Sequence, residues 1–202
     1  MKPKTHRGGL SPEKYLSKDE LKQVMDYLQA RVKAEIPIKG AKTDLMITRV
    51  FLGSGLRASE LCDLTLQDLP THHNKRVLYV RDGKGAVSRT VDISQILEHE
   101  ISVYVNEFRF DKPPEAPLFA NRNGDKYLYD TLRRKFREIG QAIKLPSSLH
   151  CHRFRHTFAI ALYAKENDLL FVCQQLGHAS IMTTQIYAKT TSEAARRQME
   201  GF

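Results

Sequence analysis

Several short stretches of the 202-residue chain set ionisable side chains where chemistry, rather than packing, would explain them. Residues 52–61 carry Arg57 two residues after the helix-breaking run Gly53-Ser54-Gly55, with Glu60 three residues further on. Residues 150–159 hold three histidines and two arginines, His150, His152, Arg153, Arg155 and His156, beside apolar residues. His178 follows Gly177, Tyr187 comes nine residues later, and Lys84 lies between Gly83 and Gly85. Each has a plain structural reading. An arginine and a glutamate at i, i+3 form a surface ion pair, a lysine at a hairpin tip guards a strand edge, and a helical tyrosine packs half-buried.

Together they suit a phosphodiester. Guanidinium groups are planar, permanently charged forks that fit phosphate oxygens and favour a transition state with added negative charge. Histidines hydrogen-bond or move protons near neutral pH. A lysine whose pKa is lowered by neighbouring cations can protonate a leaving alkoxide. A tyrosine hydroxyl becomes a nucleophile once cations stabilise its phenolate. His152 and His156, four apart on a helix, share a face as a metal pair would. A zinc site needs further ligands, and the neighbouring arginines would repel the cation. Metal-dependent nucleases gather carboxylates around their ions, and among these stretches only Glu60 qualifies. The expectation is a site activated by side-chain cations, with no metal and no cofactor.

These residues need elements to hold them. Ser17-Lys18-Asp19-Glu20 has the capping-box spacing, with Leu16 before it as a staple, and Leu21, Val24, Met25, Leu28 and Val32 recur at helical period. A second helix is predicted from about Thr43, ending near Gly53-Ser54-Gly55, and a short helical piece over 58–64. Residues 76–80 and 87–93 flank the Gly83-Lys84-Gly85 turn as two strands. Helices are predicted at 94–108 and 129–143, divided by a proline-rich loop, and 118–120 reads as a short strand or turn. Short helices broken near Asn167 and Gly177 fill 152–188. The fold class is therefore mainly α with a small antiparallel β-sheet insert. Residues 1–15 read as a flexible basic arm, 16–190 as one catalytic domain, and 191–202 as a C-terminal tail.

Composition narrows the partner. Lys and Arg number 32 against 23 Asp and Glu, a formal charge of +9 with a pI of about 9.5. Such an excess favours nucleic acid ahead of an anionic membrane. Arg133, Arg134, Lys135 and Arg137, within 127–144, make that helix the first choice for a DNA-facing surface, with Arg133, Arg134 and Arg137 as DNA-binding residues; a solvated basic face is the plain alternative. No apolar run approaches the roughly 20 residues that span a bilayer, and the basic N-terminus lacks the apolar core of a secretory signal. Cys62, Cys151 and Cys173, odd in number and widely spaced, fit a reducing cytoplasm.

The motifs, taken in order, resemble the catalytic domain of the tyrosine recombinases of the lambda-integrase and Xer type. The match runs through Arg57-Ala58-Ser59-Glu60, Gly83-Lys84-Gly85, His152-Arg153-Phe154-Arg155-His156, Leu176-Gly177-His178 and Tyr187, and covers about 16–188. The resemblance implies the tyrosine recombinase catalytic-domain fold and a site-specific recombinase that cleaves and rejoins double-stranded DNA without metal or ATP. Arg57 and Arg155 would clamp the scissile phosphate. His152 would be a proton acceptor or hydrogen-bond partner, and His178 would hold the phosphate or the nucleophile. Lys84 would protonate the leaving 5′ oxygen, and Tyr187 would attack to give a 3′-phosphotyrosine. Glu60 and His156 would orient the cationic pocket. The resemblance further implies a homo-tetramer on two DNA sites, with the state without DNA left open and residues 191–202 reaching a neighbouring subunit. A type IB topoisomerase-like relaxase and a DNA-binding regulator that kept the fold are the alternatives. Most relatives carry an additional N-terminal helical domain that closes around DNA. Here only the basic arm precedes the pattern, so either a catalytic fragment or a single-domain recombinase is expected, with weak, steeply salt-dependent DNA binding if that half is missing.

Overall fold

The computed structural model describes residues 9–34, 38–70, 75–81, 88–178 and 180–191. Ten regular elements are numbered among them: α1 (Lys18–Lys33), α2 (Ile38–Ser54), α3 (Ala58–Asp63), β1 (Val77–Val80), β2 (Arg89–Asp92), α4 (Gln95–Phe108), α5 (Tyr129–Ala142), α6 (Cys151–Glu166), α7 (Leu169–Leu176) and α8 (185–191). One-turn 3-10 segments lie at Pro12–Lys14, Leu66–Asp68 and Ile181–Thr183. The chain is mainly helical with a two-stranded antiparallel sheet, as its patterning predicts.

The capping box at Ser17 closes, and it also ties α1 to α6. Ser17 Oγ accepts from the Glu20 backbone N–H at 3.2 Å, and Glu20 Oε2 accepts from the Ser17 N–H at 2.9 Å. The other oxygen of Glu20 receives Arg153 Nη2 at 2.7 Å. Arg153 is fully buried and also donates to the Tyr15 and Ser147 carbonyls. One of the two arginines in the histidine-rich stretch is thus a strut, because a buried guanidinium must spend its donors on protein acceptors.

Helix α2 runs through the centre, packed against α1, α4 and α6. It begins at Ile38, five residues before the predicted start, despite Gly40. Burial of Ala41 and a 3.0 Å hydrogen bond between Thr43 Oγ1 and Tyr104 Oη override the weak propensity of that turn. Phe51 stacks on Phe154, ring centroids 5.9 Å apart, and meets the edge of Phe136 at 6.0 Å. These rings centre the main core. A smaller apolar cluster of Ala159, Val172, Leu176 and Tyr187, flanked by Leu10, Phe158 and Ile186, joins α6, α7 and α8.

Residues 9–15, expected as the end of a flexible arm, are docked. The Leu10 N–H donates to Thr190 Oγ1 at 2.7 Å, Leu10 packs on the smaller cluster, and Tyr15 O holds Arg153. Residues 1–8 and the tail from 192 onward lie outside the described residues. The region expected to hold short helices contains one of sixteen residues, α6. Asn167 ends it in the left-handed conformation, as Gly177 ends α7. Residues 118–120 form no strand: Leu118 and Phe119 are buried, and Ala120 makes a single bridge to Lys126.

A two-stranded sheet is marginal alone. Here Leu78, Val80 and Val91 plug into the main core, and Asp92 clasps α7: its N–H donates to Gln175 Oε1 at 3.0 Å, and Gln175 Nε2 donates to Asp92 Oδ2 at 2.5 Å. The strands are in register with Val80 opposite Arg89. Among the described residues no helix is long and apolar enough to cross a membrane. The three cysteines are free and buried.

Candidate active site

Two glycine turns face each other and supply carbonyls to two arginines. Gly55 ends α2 with φ +64°, and Gly177 ends α7 with φ +63°, a conformation that costs glycine little. Neither has room for a side chain: a Cβ on Gly55 would come within 2.3 Å of the Phe158 ring, and one on Gly177 within 2.6 Å of Arg89 Nε. Arg155, from the second turn of α6 and 4% exposed, donates Nη1 to Gly55 O and Nη2 to Leu176 O, each at 2.7 Å. Arg57, at the N-cap of α3, donates Nη2 to Gly177 O at 2.9 Å and Nη1 to Glu60 Oε1 at 2.7 Å. The backbone N–H of Arg57 donates to Glu60 Oε2 at 2.7 Å, as an N3 glutamate does when it caps a helix. The two guanidinium groups are held from behind, and each keeps N–H groups for an anion.

A third arginine completes the arrangement. Arg89, the first residue of β2, donates Nη1 and Nη2 to the two oxygens of Glu60 at 2.8 and 3.0 Å, and its side chain covers Gly177. In the sequence Arg89 stands out only as one residue of a strand. The signal was present: period-2 alternation puts Arg89 on one face with Val91 and Ile93, both buried, and a guanidinium facing the core needs an acid.

Glu60 therefore binds Arg57 and Arg89, with Arg155 at 3.9 Å. Burial alone would raise its pKa, but hydrogen bonds from Arg89 and the Arg57 backbone, with the charge of Arg89, hold it down to about 2. Arg155 is pushed down to about 10, first by burial and then by Arg57, so it stays charged near neutral pH. Three guanidinium groups share one carboxylate, which leaves the cluster positively charged.

The histidines respond to that charge. His178 Nδ1 lies 2.9 Å from Thr184 Oγ1, and burial followed by Arg155, Arg57 and Arg89 pushes its pKa down to about 4. His152, on the exposed side of α6, is lowered by burial, Arg155 and Arg57. His156 is pushed down to about 4 by burial, then by His152 and Arg155. Burial and the surrounding cations thus disfavour the imidazolium form at all three positions.

Tyr187, on α8, is 1% exposed. Its ring lies nearly parallel to that of His178, centroids 6.4 Å apart at 17°, and its hydroxyl is 3.0 Å from His156 Nδ1. Burial raises its pKa, partly offset by Arg155. The structure thus gathers Arg57, Glu60, Arg155, His156, His178 and Tyr187, with His152 beside His156. Lys84 lies outside the described residues. Among the described residues no three His, Cys, Asp or Glu side chains gather as metal ligands would.

The basic helix is α5. Leu132, Phe136 and Ile139 face the core, while Arg133, Arg134 and Arg137 are exposed. Lys135 instead turns to Asp44, at 2.6 Å. Arg133 and Arg137 line a cleft of about 330 Å³ with Tyr129, His150 and His152, which sets the basic face of α5 beside His152. Arg134, also exposed, lies 3.9 Å from Glu138.

The model of the phage integrase family matches residues 14–194. The chain is 32% identical over 187 residues to the tyrosine recombinase XerA of Pyrococcus furiosus, covering 93% of this chain and 61% of that protein. It is 35% identical over 150 residues to the tyrosine recombinase XerC of Nitrobacter winogradskyi, covering 74% of this chain and 46% of the other. A crystal structure of XerA recombinase superimposes with a TM-score of 0.71 at 28% identity, over 92% of this chain and 63% of that one. A pre-cleavage complex of the XerH site-specific recombinase with its difH substrate gives 0.71 at 26%, over 90% and 52%. The chain spans at most about three fifths of the length of these curated relatives.

Proposed function

The chain belongs to the phage integrase family, and from that premise we propose that it is the catalytic part of a site-specific DNA recombinase acting through Tyr187. The observation that carries the reading is the convergence of Arg57, Arg155, His178 and Tyr187 around the Gly55 and Gly177 turns. A phosphodiester seated there meets two guanidinium forks already oriented by carbonyls and by Glu60, so little reorganisation accompanies charge build-up. His178, its Nδ1 engaged by Thr184, offers Nε2 to a non-bridging oxygen. Tyr187 Oη attacks phosphorus, the 5′ oxygen leaves with a proton from Lys84, and a 3′-phosphotyrosine forms. The new linkage keeps a phosphodiester, so the reverse step rejoins a strand without ATP. Lys84 enters on the resemblance alone.

The partner is double-stranded DNA. The +9 charge and the cleft that joins Arg133 and Arg137 to His152 support a duplex held across the site by phosphate contacts. The XerH relative is solved on difH DNA. A homo-tetramer on two sites is the assembly this chemistry needs, since exchange requires four cuts in two duplexes.

A plasmid carrying two copies of the DNA that flanks the chain's gene separates this reading from simple relaxation. Strand exchange yields deleted or inverted plasmids. Relaxation of any supercoiled plasmid, with no rearranged product, overturns the recombinase reading in favour of a type IB topoisomerase-like activity.

A further inference from the structure

Tyr187 has one side-chain hydrogen-bond partner for its hydroxyl among the described residues, and it is not the histidine that the resemblance puts forward as proton acceptor. Oη lies 3.0 Å from His156 Nδ1, with ring centroids 5.8 Å apart at 51°. His152 sits one helical turn earlier on α6, its centroid 6.3 Å from that of His156. No hydrogen bond joins His152 to Tyr187 among the described residues.

We propose that His156 Nδ1 receives the phenolic proton of Tyr187 as the tyrosine attacks the DNA phosphodiester. This role rests on the recombinase reading above. In the step the Oη–H bond breaks and the proton passes to His156 Nδ1. The Oη–P bond forms, the P–O5′ bond breaks, and the departing oxygen takes a proton from Lys84. One proton is gained and one lost, so the total charge of the site is unchanged.

Geometry and charge both suit the step. Proton transfer needs heavy atoms about 2.6–3.2 Å apart, which this pair already meets in the free chain. The groups around His156 are His150, His152 and Arg155 on α6, Lys14 in the N-terminal 3-10 turn, and Tyr187 on α8. Burial and these neighbours keep His156 neutral, and burial keeps Tyr187 protonated. With the imidazole proton on Nε2, the hydroxyl Oη–H donates and Nδ1 accepts. A bound phosphodiester offsets the charge of Arg155, so the basicity of His156 rises as substrate arrives.

The test compares wild type, His156→Asn and His156→Gln on a nicked duplex recovered by covalent capture from a random-sequence pool. Asparagine keeps a hydrogen-bonding group near the Nδ1 position but takes up no proton near neutral pH. We expect His156→Asn to bind the duplex within about twofold of wild type and to form adduct at least 100-fold more slowly, the usual scale of general-base loss. A bridging 5′-phosphorothiolate, whose thiolate leaves without protonation, should restore cleavage to Lys84→Ala but to neither His156 variant. Wild-type or faster cleavage by His156→Asn overturns the proposal and makes the hydrogen bond a restraint on Tyr187. Rescue of both His156 variants by the phosphorothiolate overturns it as well. Absence of adduct with wild type overturns the recombinase reading itself, and with it this role.

Discussion

Glu60 faces three guanidinium groups, those of Arg57, Arg89 and Arg155, and a carboxylate so placed both orients cations and depends on them. Its pKa of about 2 is depressed from the ordinary 4.5, so the stability it contributes is fully present above about 4.5 and is lost as pH falls toward 2. Replacing Arg89 with leucine removes the two-pronged partner, and we expect a loss of about 2 kcal/mol at pH 7, less than for a fully buried pair because Arg57 remains. Thermal unfolding from pH 7 to pH 2.5 checks the sign: the gap between Arg89→Leu and wild type should shrink as Glu60 protonates. A gap that widens in acid would remove Arg89 from the support of Glu60. Arg57, Glu60 and Arg155 were legible in the sequence because they flank a glycine break or crowd other ionisable residues. Arg89 was not singled out, since alternation marked it as inward-facing without showing that Glu60, 29 positions earlier, would meet it.

Elements position these residues through their ends. Glu60 caps α3 by accepting from the Arg57 N–H, Gly55 and Gly177 close α2 and α7, and Asp92 pins β2 to α7 through Gln175. The helix starts with capping chemistry and the stops with glycine or asparagine were readable, because they are local events. The early start of α2 and the docking of residues 9–15 were not, because each rests on partners far along the chain, Tyr104 in one case and Thr190 in the other. Helix α5 was readable as a basic helix, but its sequence did not reveal that Lys135 turns to Asp44 while Arg133 and Arg137 line the cleft beside His152. That division makes a prediction. The double variant Arg133→Ala/Arg137→Ala should weaken duplex binding uniformly across sequences and lower the slope of log K against log salt by about 2, one for each phosphate contact. Lys135→Ala should leave the slope unchanged and lower the melting temperature instead. An unaltered slope in the double variant would take this cleft out of the DNA path.

At the scale of the whole molecule, a main core among the described residues carries the helices, and a smaller cluster under α6, α7 and α8 holds Tyr187. Tyr187 belongs to that cluster as much as to the polar site, 1% exposed with its hydroxyl on His156. The excess positive charge likewise divides by role. Arg153 is spent on Glu20, Lys135 on Asp44 and Arg89 on Glu60, while Arg57, Arg155, Arg133 and Arg137 keep donors for an anion. The central claim is that Tyr187 makes the covalent link. Its most direct test is incubation with a nicked duplex in excess EDTA, followed by denaturing electrophoresis and mass mapping of the DNA-linked peptide. The account predicts a protein–DNA adduct that forms without metal, maps to Tyr187 and is absent in Tyr187→Phe. An adduct that persists in Tyr187→Phe, or that maps to another residue, would contradict it.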